Sequence, residues 1–267
     1  MLPPPRALGL WLALLAGLGL AGSAPARAET EVDLALVIAV DISYSMDMEE
    51  LTLQREGFAE AFRSLAVQDA IRRGTLGRIA VTYFEWAGAA DQRIVVPWTL
   101  IDGPPAAGAF AERVAAVPVR RAQRTSISAA IDFGVRALGA SGMVAARQVI
   151  DVSGDGPNNQ GRVVTAARDD AVAAGITVNG LPLMLKQPGY FDIPDLDRYY
   201  RACVIGGPGS FLVPVRDRGQ IGEAIKTKII LEVAGRAPAA PLVHPAQGEA
   251  APNCLAGEIQ WRDRMGN

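Results

Sequence analysis

The segment DISYSMD, residues 41–47, places oxygen-bearing side chains at every second position directly after an apolar run. Residues two apart in an extended segment point to the same side, so Asp41, Ser43 and Ser45 can converge on one point. Carboxylate and hydroxyl oxygens are hard ligands that suit Mg²⁺, Mn²⁺ or Ca²⁺, and they offer nothing that zinc would prefer. A helix-capping turn explains the same residues equally well, because serine and aspartate are common caps.

Two further polar clusters could complete such a site, namely RTS at residues 124–126 and SGDG at residues 153–156. Adding Thr125 and Asp155 gives five oxygen-bearing side chains. An octahedral Mg²⁺ would still keep a position for solvent or a ligand. Both residues also have ordinary explanations, because Thr125 could cap a helix that begins near Ser126 and Asp155 could belong to a simple turn.

The surrounding sequence predicts the elements that would position these clusters. Apolar runs indicate strands at residues 33–40, 79–86, 93–101, 147–156, 176–184 and 210–215. Periodicity indicates helices at residues 49–65, 106–117, from Ser126 onward, 161–175, 193–204 and 221–235. Because strands and helices alternate, we expect an α/β fold with a doubly wound, mostly parallel sheet and helices on both faces. One hairpin adds an antiparallel edge strand, which Pro97 marks.

The first predicted helix has an apolar face and a polar face. Its apolar face comprises Leu51, Phe58, Phe62 and Leu65. Its polar face, which we expect to contact water, comprises Glu50, Arg55 and Glu60. In a doubly wound sheet, ligands bind beyond the carboxyl ends of the strands. The three polar clusters fall at such strand ends or at helix starts, so the predicted fold allows them to share one site.

With these residues in place, the chain resembles the von Willebrand factor type A domain, in particular exported bacterial members whose function is unassigned. DISYS matches the DxSxS signature of that family, and Thr125 and Asp155 match the threonine and the aspartate of its second and third loops. The resemblance extends over about residues 31–235 in the order of strands and helices. It implies a metal-ion-dependent adhesion site.

The resemblance further implies a divalent cation, with Mg²⁺ as the first choice and Mn²⁺ or Ca²⁺ as alternatives. Ser43, Ser45 and Thr125 would hold it, Asp41 and Asp155 would bind directly or through water, and a carboxylate of a partner protein would complete the shell. A cation held mainly by neutral hydroxyls keeps more unneutralised charge than one ringed by carboxylates. It therefore attracts an acidic ligand.

Two loops depart from the family pattern. The loop RRAQRT, which leads to Thr125, lacks the glycines that the family commonly has there. Arg124 should therefore either point away from the cation or help to hold the incoming carboxylate. Gly154 precedes Asp155, and Pro-Asn-Asn lies just beyond it, so the hydrogen bonds behind the ligands could differ. Tyr44 stands between the two serines and could either contact a partner or pack in an ordinary way.

The first 28 residues predict a signal peptide, cleaved after Ala28, that directs the chain to the periplasm or out of the cell. A retained membrane anchor is the competing interpretation, although glycine and alanine dilute the apolar stretch. After cleavage we expect no stable membrane insertion. Cleavage would also remove Arg6 and Arg27, so the formal net charge of −2 would become about −4, which argues against a nucleic acid partner.

Beyond a domain at residues 29–235, the chain continues as a tail at 236–267 that begins rich in alanine and proline. The two cysteines, Cys203 and Cys254, are expected to pair in an oxidising compartment and to tie this tail to the domain. Two unrelated thiols are the alternative.

These features favour a protein-binding module and not an enzyme. The alternative is a Mg²⁺-dependent phosphohydrolase, since an aspartate after the first strand can also serve phosphoryl transfer. The usual form of that site has a second carboxylate two residues after the first, a position that Ser43 occupies here. The single histidine, His244, lies in the tail, and the sequence has no GxxxxGK[ST] phosphate loop.

Overall fold

A computed structural model describes residues 30–186, 193–236 and 251–266 of the chain. These residues form an α/β fold around a five-stranded sheet, with a separate pair of short parallel strands. The strands are β1 (Thr30–Val32), β2 (Leu34–Asp41), β3 (Ile79–Trp86), β4 (Gln92–Ile101), β5 (Met143–Ala145), β6 (Gln148–Gly154) and β7 (Thr177–Pro182).

The helices of the described residues connect and follow these strands. They are α1 (Met48–Arg63), α2 (Leu65–Arg72), α3 (Pro104–Ala116), α4 (Ile127–Gly139), α5 (Val164–Ala173), α6 (Leu196–Tyr199), α7 (Ile221–Ala234) and α8 (Ala256–Met265). A π-helical turn at Tyr200–Val204 continues α6, and a short 3-10 helix at Arg218–Gln220 leads into α7.

The five strands of the main sheet lie in the order β4-β3-β2-β6-β7. Neighbouring strands are parallel except for β3 and β4, which pair antiparallel, and β4 lies at one edge of the sheet. The predicted fold class is confirmed, and Pro97 lies within the edge strand as its missing N–H requires.

Strand β2 lies at the centre of the molecule, because every one of its residues is buried. Successive side chains of a strand point to opposite faces. Leu34 and Leu36 enter the core formed with α1, α3 and α7, whereas Ala35 and Val37 enter the core formed with α4 and α5. An apolar run without alternation is therefore what a strand covered on both faces needs.

The register of the sheet brings three loops to one edge. Asp41, the last residue of β2, pairs with Trp86, the last residue of β3. Val40 pairs with Ser153 near the end of β6. The amide of Ser126, which precedes α4, donates to the carbonyl of the residue that follows β3, at 2.7 Å. The loops that carry the three polar clusters therefore meet beyond the carboxyl ends of β2 and β6.

The strand predicted over residues 210–215 is wrong. This segment runs beside β7 but pairs with it only at single bridges, which join Gly180 to Leu212 and Leu183 to Val215. Pro214 lies between the two bridges and has no N–H to donate, so a continuous ladder does not form.

Helix α1 differs from its predicted faces. Glu50 and Arg55 were expected in water but are only 1% and 5% exposed. Arg55 forms an ion pair with Glu85, which is itself fully buried, so the two charges compensate each other away from water. Leu65 was expected in the core but is 76% exposed, because Ser64 ends α1 and caps a new helix.

The tail contains α8, which no sequence pattern indicated. The predicted disulfide between Cys203 and Cys254 is present, with the Cα atoms 5.5 Å apart, and it joins the segment before α8 to the π-helical turn. The predicted signal peptide at residues 1–28 and His244 lie outside the described residues. Among the described helices, none has the length and apolar character needed to cross a bilayer.

Candidate metal centre

The start of the loop after β2 is held by one hydrogen bond within the loop and one to a neighbouring loop. One carboxylate oxygen of Asp41, Oδ1, accepts a hydrogen bond from the amide of Ser43 at 2.7 Å. The carbonyl of Ile42 accepts from the amide of Ala122 at 2.9 Å, so this loop is bound to the loop that leads to Thr125. These hydrogen bonds therefore fix the backbone of the DxSxS segment.

The second loop presents Thr125 through contacts with the third loop. The amide of Thr125 donates to Oδ1 of Asn159 at 2.9 Å, and the Asn159 amide donates to the Thr125 carbonyl at 2.8 Å. Ser126, not Thr125, caps α4, since its hydroxyl accepts from the amide of Ala129. Within the described residues the Thr125 hydroxyl has no hydrogen-bond partner, so it is available to a ligand.

A chain of hydroxyl and carboxylate groups links the first and third loops. The hydroxyl oxygens of Ser43 and Ser45 are 2.8 Å apart, and the Ser45 hydroxyl donates to Oδ1 of Asp155 at 2.5 Å. Ser43, Ser45, Thr125 and Asp155 line one pocket of about 520 Å³. The structure therefore brings four of the five predicted ligands to a common cavity, and Asp41 lies buried beside them, linked through Ser43.

Asp41 allows a test of whether a cation fits this pocket. Its carboxyl is fully buried, and Oδ2 has no hydrogen-bond partner within the described residues. Burial, reinforced by the negative charge of Asp155, raises the pKa of Asp41 well above its ordinary value. A divalent cation would offset both effects, and the donor set consists entirely of hard oxygen atoms. The residues present therefore fit Mg²⁺ or a similar cation.

The glycine that departs from the family pattern has a structural reason. A Cβ atom at Gly154 would lie 2.8 Å from Oδ2 of Asp41 and 2.9 Å from the hydroxyl oxygen of Tyr200. Such separations are too short for a carbon atom. Glycine thus lets the backbone of the third loop lie directly against the Asp41 carboxylate.

Lys186 is a neighbour of the site that sequence reasoning missed. Its ammonium nitrogen lies 2.6 Å from Oε2 of buried Glu50 and 3.8 Å from Oδ2 of Asp155, and it donates to the carbonyl of Ser45. It follows β7, where no local pattern marks it as part of a site. A positive charge here compensates the buried Glu50 and lies within ion-pair distance of Asp155.

Helix α8 forms a second wall of the same pocket, through Gly257, Gln260, Trp261 and Arg264. The guanidinium of Arg124 lies 3.6 Å from the centre of the Trp261 ring. Arg124 therefore does not extend into open solvent but lies along the pocket wall. The only sequence signal for this wall was the predicted pairing of Cys203 with Cys254, which brings the start of α8 to the domain.

Residues 31–237 match a family described as protein of unknown function (DUF1194). No curated protein matches the chain. Among solved structures, proximal thread matrix protein 1 (PTMP1) from the mussel byssus is 14% identical, covering 77% of this chain and 49% of that one, with a TM-score of 0.56. Another PTMP1 structure is described as having a zinc occupied MIDAS motif; it is 14% identical with a TM-score of 0.52.

Two further similar structures come from bacteria. A von Willebrand factor type A protein from Catenulispora acidiphila is 16% identical, covering 76% of this chain and 43% of that one, with a TM-score of 0.54. The pilus adhesin SpaC from Lactobacillus rhamnosus GG is 13% identical, covering 76% of this chain and 31% of that one, with a TM-score of 0.55. The matched chains are thus at least about twice as long as the part this protein covers. At these identities the likeness shows a shared fold, that of the von Willebrand factor type A domain.

Proposed function

We propose that this chain, which belongs to the DUF1194 family of proteins of unknown function, is a binding module. It would hold an acidic side chain of a partner protein through a divalent cation at the site described above. The observation that carries the proposal is the convergence of Ser43, Ser45, Thr125 and Asp155 on one pocket. Beside it lies the buried carboxyl of Asp41, whose Oδ2 has no hydrogen-bond partner among the described residues. The PTMP1 structure described as having a zinc occupied MIDAS motif supports a metal site on this fold.

Each predicted ligand has a distinct part in this proposal. Ser43, Ser45 and Thr125 supply neutral oxygens, and Asp41 and Asp155 supply charge directly or through water. Such a shell leaves the cation with positive charge that a carboxylate from outside can neutralise. Mg²⁺ is the first choice because all donors are hard oxygens, with Mn²⁺ or Ca²⁺ as alternatives.

The proposed role is binding and not catalysis. The phosphohydrolase arrangement needs a second carboxylate at the position of Ser43, where a proton could be accepted or given. The Ser43 hydroxyl instead forms a hydrogen bond with the Ser45 hydroxyl. Among the described residues that line the pocket, only Asp155 has a carboxyl group. Incubation with a generic phosphoester and Mg²⁺ should therefore give no turnover above that of the Thr125→Ala variant.

Export completes the proposal, with cleavage after Ala28 and a location in the periplasm or outside the cell. The disulfide between Cys203 and Cys254 supports it, because such bonds persist in oxidising compartments. Sequencing the amino terminus of the secreted protein tests the cleavage site.

Thr125→Ala tests the cation. Its hydroxyl has no partner among the described residues, whereas its backbone is fixed by Asn159, so the variant should keep the fold. We expect calorimetric Mg²⁺ affinity to fall about tenfold or more, the range seen when groups around a metal are altered. The variant should also retain less of the partner from a periplasmic extract. The wild type should retain none of it when a chelator is present.

Thr52→Ala is the matched control, because the Thr52 hydroxyl only donates to the carbonyl of Met48 within α1. It should bind Mg²⁺ like the wild type. Unchanged Mg²⁺ affinity in Thr125→Ala, with retention of partner that ignores the chelator, would remove the cation from the function.

A further inference from the structure

Tyr200 is a buried residue whose hydroxyl group lies beside the candidate metal centre. It is the first residue of the π-helical turn, and its side chain is fully buried. Its hydroxyl oxygen has no hydrogen-bond partner among the described residues. Burying a hydroxyl without a partner costs free energy, and phenylalanine would fill the same space without that cost. Packing alone therefore does not explain a tyrosine at this position.

Two glycines on neighbouring strands provide the space for the Tyr200 side chain. Gly180 lies within β7, and Gly154 ends β6, which pairs with β7. A Cβ atom at Gly180 would lie 2.7 Å from Cδ1 of the Tyr200 ring, and one at Gly154 would lie 2.9 Å from its hydroxyl oxygen. Glycine inside a strand often marks the close approach of another group. The ring thus packs on Gly180 and brings its hydroxyl to the sheet edge where the polar clusters meet.

The Tyr200 hydroxyl and the Asp41 carboxyl group are both close to Gly154. Oδ2 of Asp41 would lie 2.8 Å from a Cβ atom at Gly154, which is as near as the Tyr200 hydroxyl would be. This oxygen has no hydrogen-bond partner among the described residues, whereas Oδ1 of Asp41 accepts from the amide of Ser43. A buried donor and a buried acceptor, each without a partner in the described part of the chain, therefore lie next to the same glycine.

The neighbouring tyrosine shows how the two hydroxyls differ. The Tyr199 hydroxyl accepts from the amide of Asn158 at 3.2 Å, so it supports the backbone of the third loop. The Tyr200 hydroxyl has no such contact among the described residues. Burial, followed by the negative charges of Asp41 and Asp155, raises the pKa of Tyr200 well above its usual value. The hydroxyl therefore keeps its proton and can donate it to a hydrogen bond.

We propose that Tyr200 is a positioning residue of the candidate metal centre, whose hydroxyl donates to Oδ2 of Asp41 and holds the carboxylate in the orientation that a divalent cation requires. This inference rests on the proposed function, because Asp41 is there a ligand of the cation, directly or through water. The hydrogen bond would satisfy both unpartnered groups. Within the described residues neither group holds another hydrogen bond, so none has to break.

Tyr200→Phe tests the hydroxyl and keeps the ring. We expect calorimetric Mg²⁺ affinity to fall about tenfold or more, as is typical when a group that orients a metal ligand is removed. The Tm of the metal-free variant should equal or exceed that of the wild type, because a buried hydroxyl without a partner is removed. A structural role alone would not lower the affinity while leaving the Tm undiminished.

Tyr83→Phe is the matched control. Tyr83 is also fully buried, and its hydroxyl also has no hydrogen-bond partner among the described residues. Its ring packs against Phe58 in the core formed with α1, α3 and α7, on the other face of the sheet from Tyr200. The variant removes the same chemical group at a distance from the site, so it should bind Mg²⁺ like the wild type.

A crystal structure of the wild type with Mg²⁺ checks the geometry directly. The hydroxyl oxygen of Tyr200 should lie about 2.5–2.7 Å from Oδ2 of Asp41, the usual distance for a hydroxyl that donates to a carboxylate. A separation well beyond about 3.0 Å would mean that no such bond forms, and it would overturn the inference even if the affinity of Tyr200→Phe falls.

The outcomes separate this inference from the proposed function. If the wild type binds Mg²⁺ and Tyr200→Phe binds it equally well, the positioning role is overturned and the cation-dependent module stands. Equal losses of affinity in Tyr200→Phe and Tyr83→Phe, or a loss accompanied by a lower metal-free Tm, also overturn the positioning role. If the wild type binds neither Mg²⁺ nor Mn²⁺ nor Ca²⁺, both the inference and the proposed function are overturned.

Discussion

Asp41 is the buried carboxyl group of the candidate site. Its carboxyl is fully buried, one oxygen is unsatisfied within the described residues, and the pKa is raised by burial and by Asp155. Burying an ionised carboxylate without compensation costs folding free energy. We infer that this free-energy cost is present in the metal-free protein and is offset when a cation binds beside Asp41.

Asp41→Asn should separate the folding cost from the binding role. Asparagine retains an oxygen that can accept from the Ser43 amide but has no charge. At pH 7 and without metal, we expect a higher Tm for the variant than for the wild type. Mg²⁺ should raise the Tm of the wild type only, because ligand binding stabilises the state that binds.

The pH dependence follows from the direction of the pKa shift. The folded-state pKa of Asp41 lies above the unfolded value of about 3.9, so ionised Asp41 destabilises the fold above its folded-state pKa. The cost is complete above that value, shrinks as the pH falls below it, and disappears once the pH is below the unfolded value of about 3.9. The stability advantage of the metal-free variant, measured by thermal unfolding, should therefore shrink on acidification. An equal Mg²⁺-induced shift in both proteins would contradict the role given to Asp41.

At the scale of elements, a buried charged cluster fixes α7 to the sheet. Nζ of Lys228 on α7 lies 2.9 Å from Oδ1 of Asp151 on β6 and 2.6 Å from Oε1 of Glu232. The side-chain amide of Asn179 on β7 donates to Oε2 of Glu232 at 2.9 Å. All four side chains are at most 2% exposed. Burial raises the pKa of Asp151 to about 6, although Lys228 acts in the opposite direction.

Lys228→Met should be strongly destabilising, because it leaves two carboxylates buried without their cation. The expected loss is about 3–5 kcal/mol in the free energy of unfolding, measured with urea at pH 7. The loss should be smaller near pH 5, since protonation of Asp151, whose folded-state pKa is raised, removes the uncompensated charge.

Lys226→Met provides the comparison on the same helix. Lys226 pairs with Glu223, whose side chain is 67% exposed, so the variant should stay within about 0.5 kcal/mol of the wild type. Equal losses of unfolding free energy for the two variants would show that the buried cluster contributes no more to stability than an exposed ion pair.

At the scale of the whole molecule, the disulfide holds α8 against the candidate site. It joins Cys203 in the π-helical turn to Cys254 before α8, across 51 positions of the chain. The bridge thus places a helix from the last part of the sequence against the loops that carry Arg124 and Asn158, in the middle of the chain. Part of the connecting segment lies outside the described residues.

The double variant Cys203→Ser/Cys254→Ser should loosen α8 without removing any predicted metal ligand. Loop-closure entropy for a crosslink of 51 residues predicts a loss of up to about 4 kcal/mol in unfolding free energy. We expect limited proteolysis to cut near α8, and Mg²⁺ affinity to remain. Unchanged proteolysis would mean that Asn158 and Glu258 hold the helix without the bridge.

The sequence alone determined the fold class, most element positions and the five candidate ligands. These follow from local patterns, because apolar periodicity reports burial and alternate spacing reports direction along a strand. Asp41, Ser43 and Ser45 belong to one such pattern, and Thr125 and Asp155 each follow a recognisable element. The resemblance to the von Willebrand factor type A domain then linked the three segments.

Only the tertiary structure decided which groups surround these ligands. Lys186 donates to the carbonyl of Ser45 across 141 positions, and buried Arg55 pairs with Glu85 across 30 positions, so no local pattern specifies these partners. Trp261 meets Arg124 because a disulfide brings α8 back to the site. Periodicity shows that a side chain faces inward or outward, but the partner that makes a buried charge tolerable is fixed by packing between distant segments.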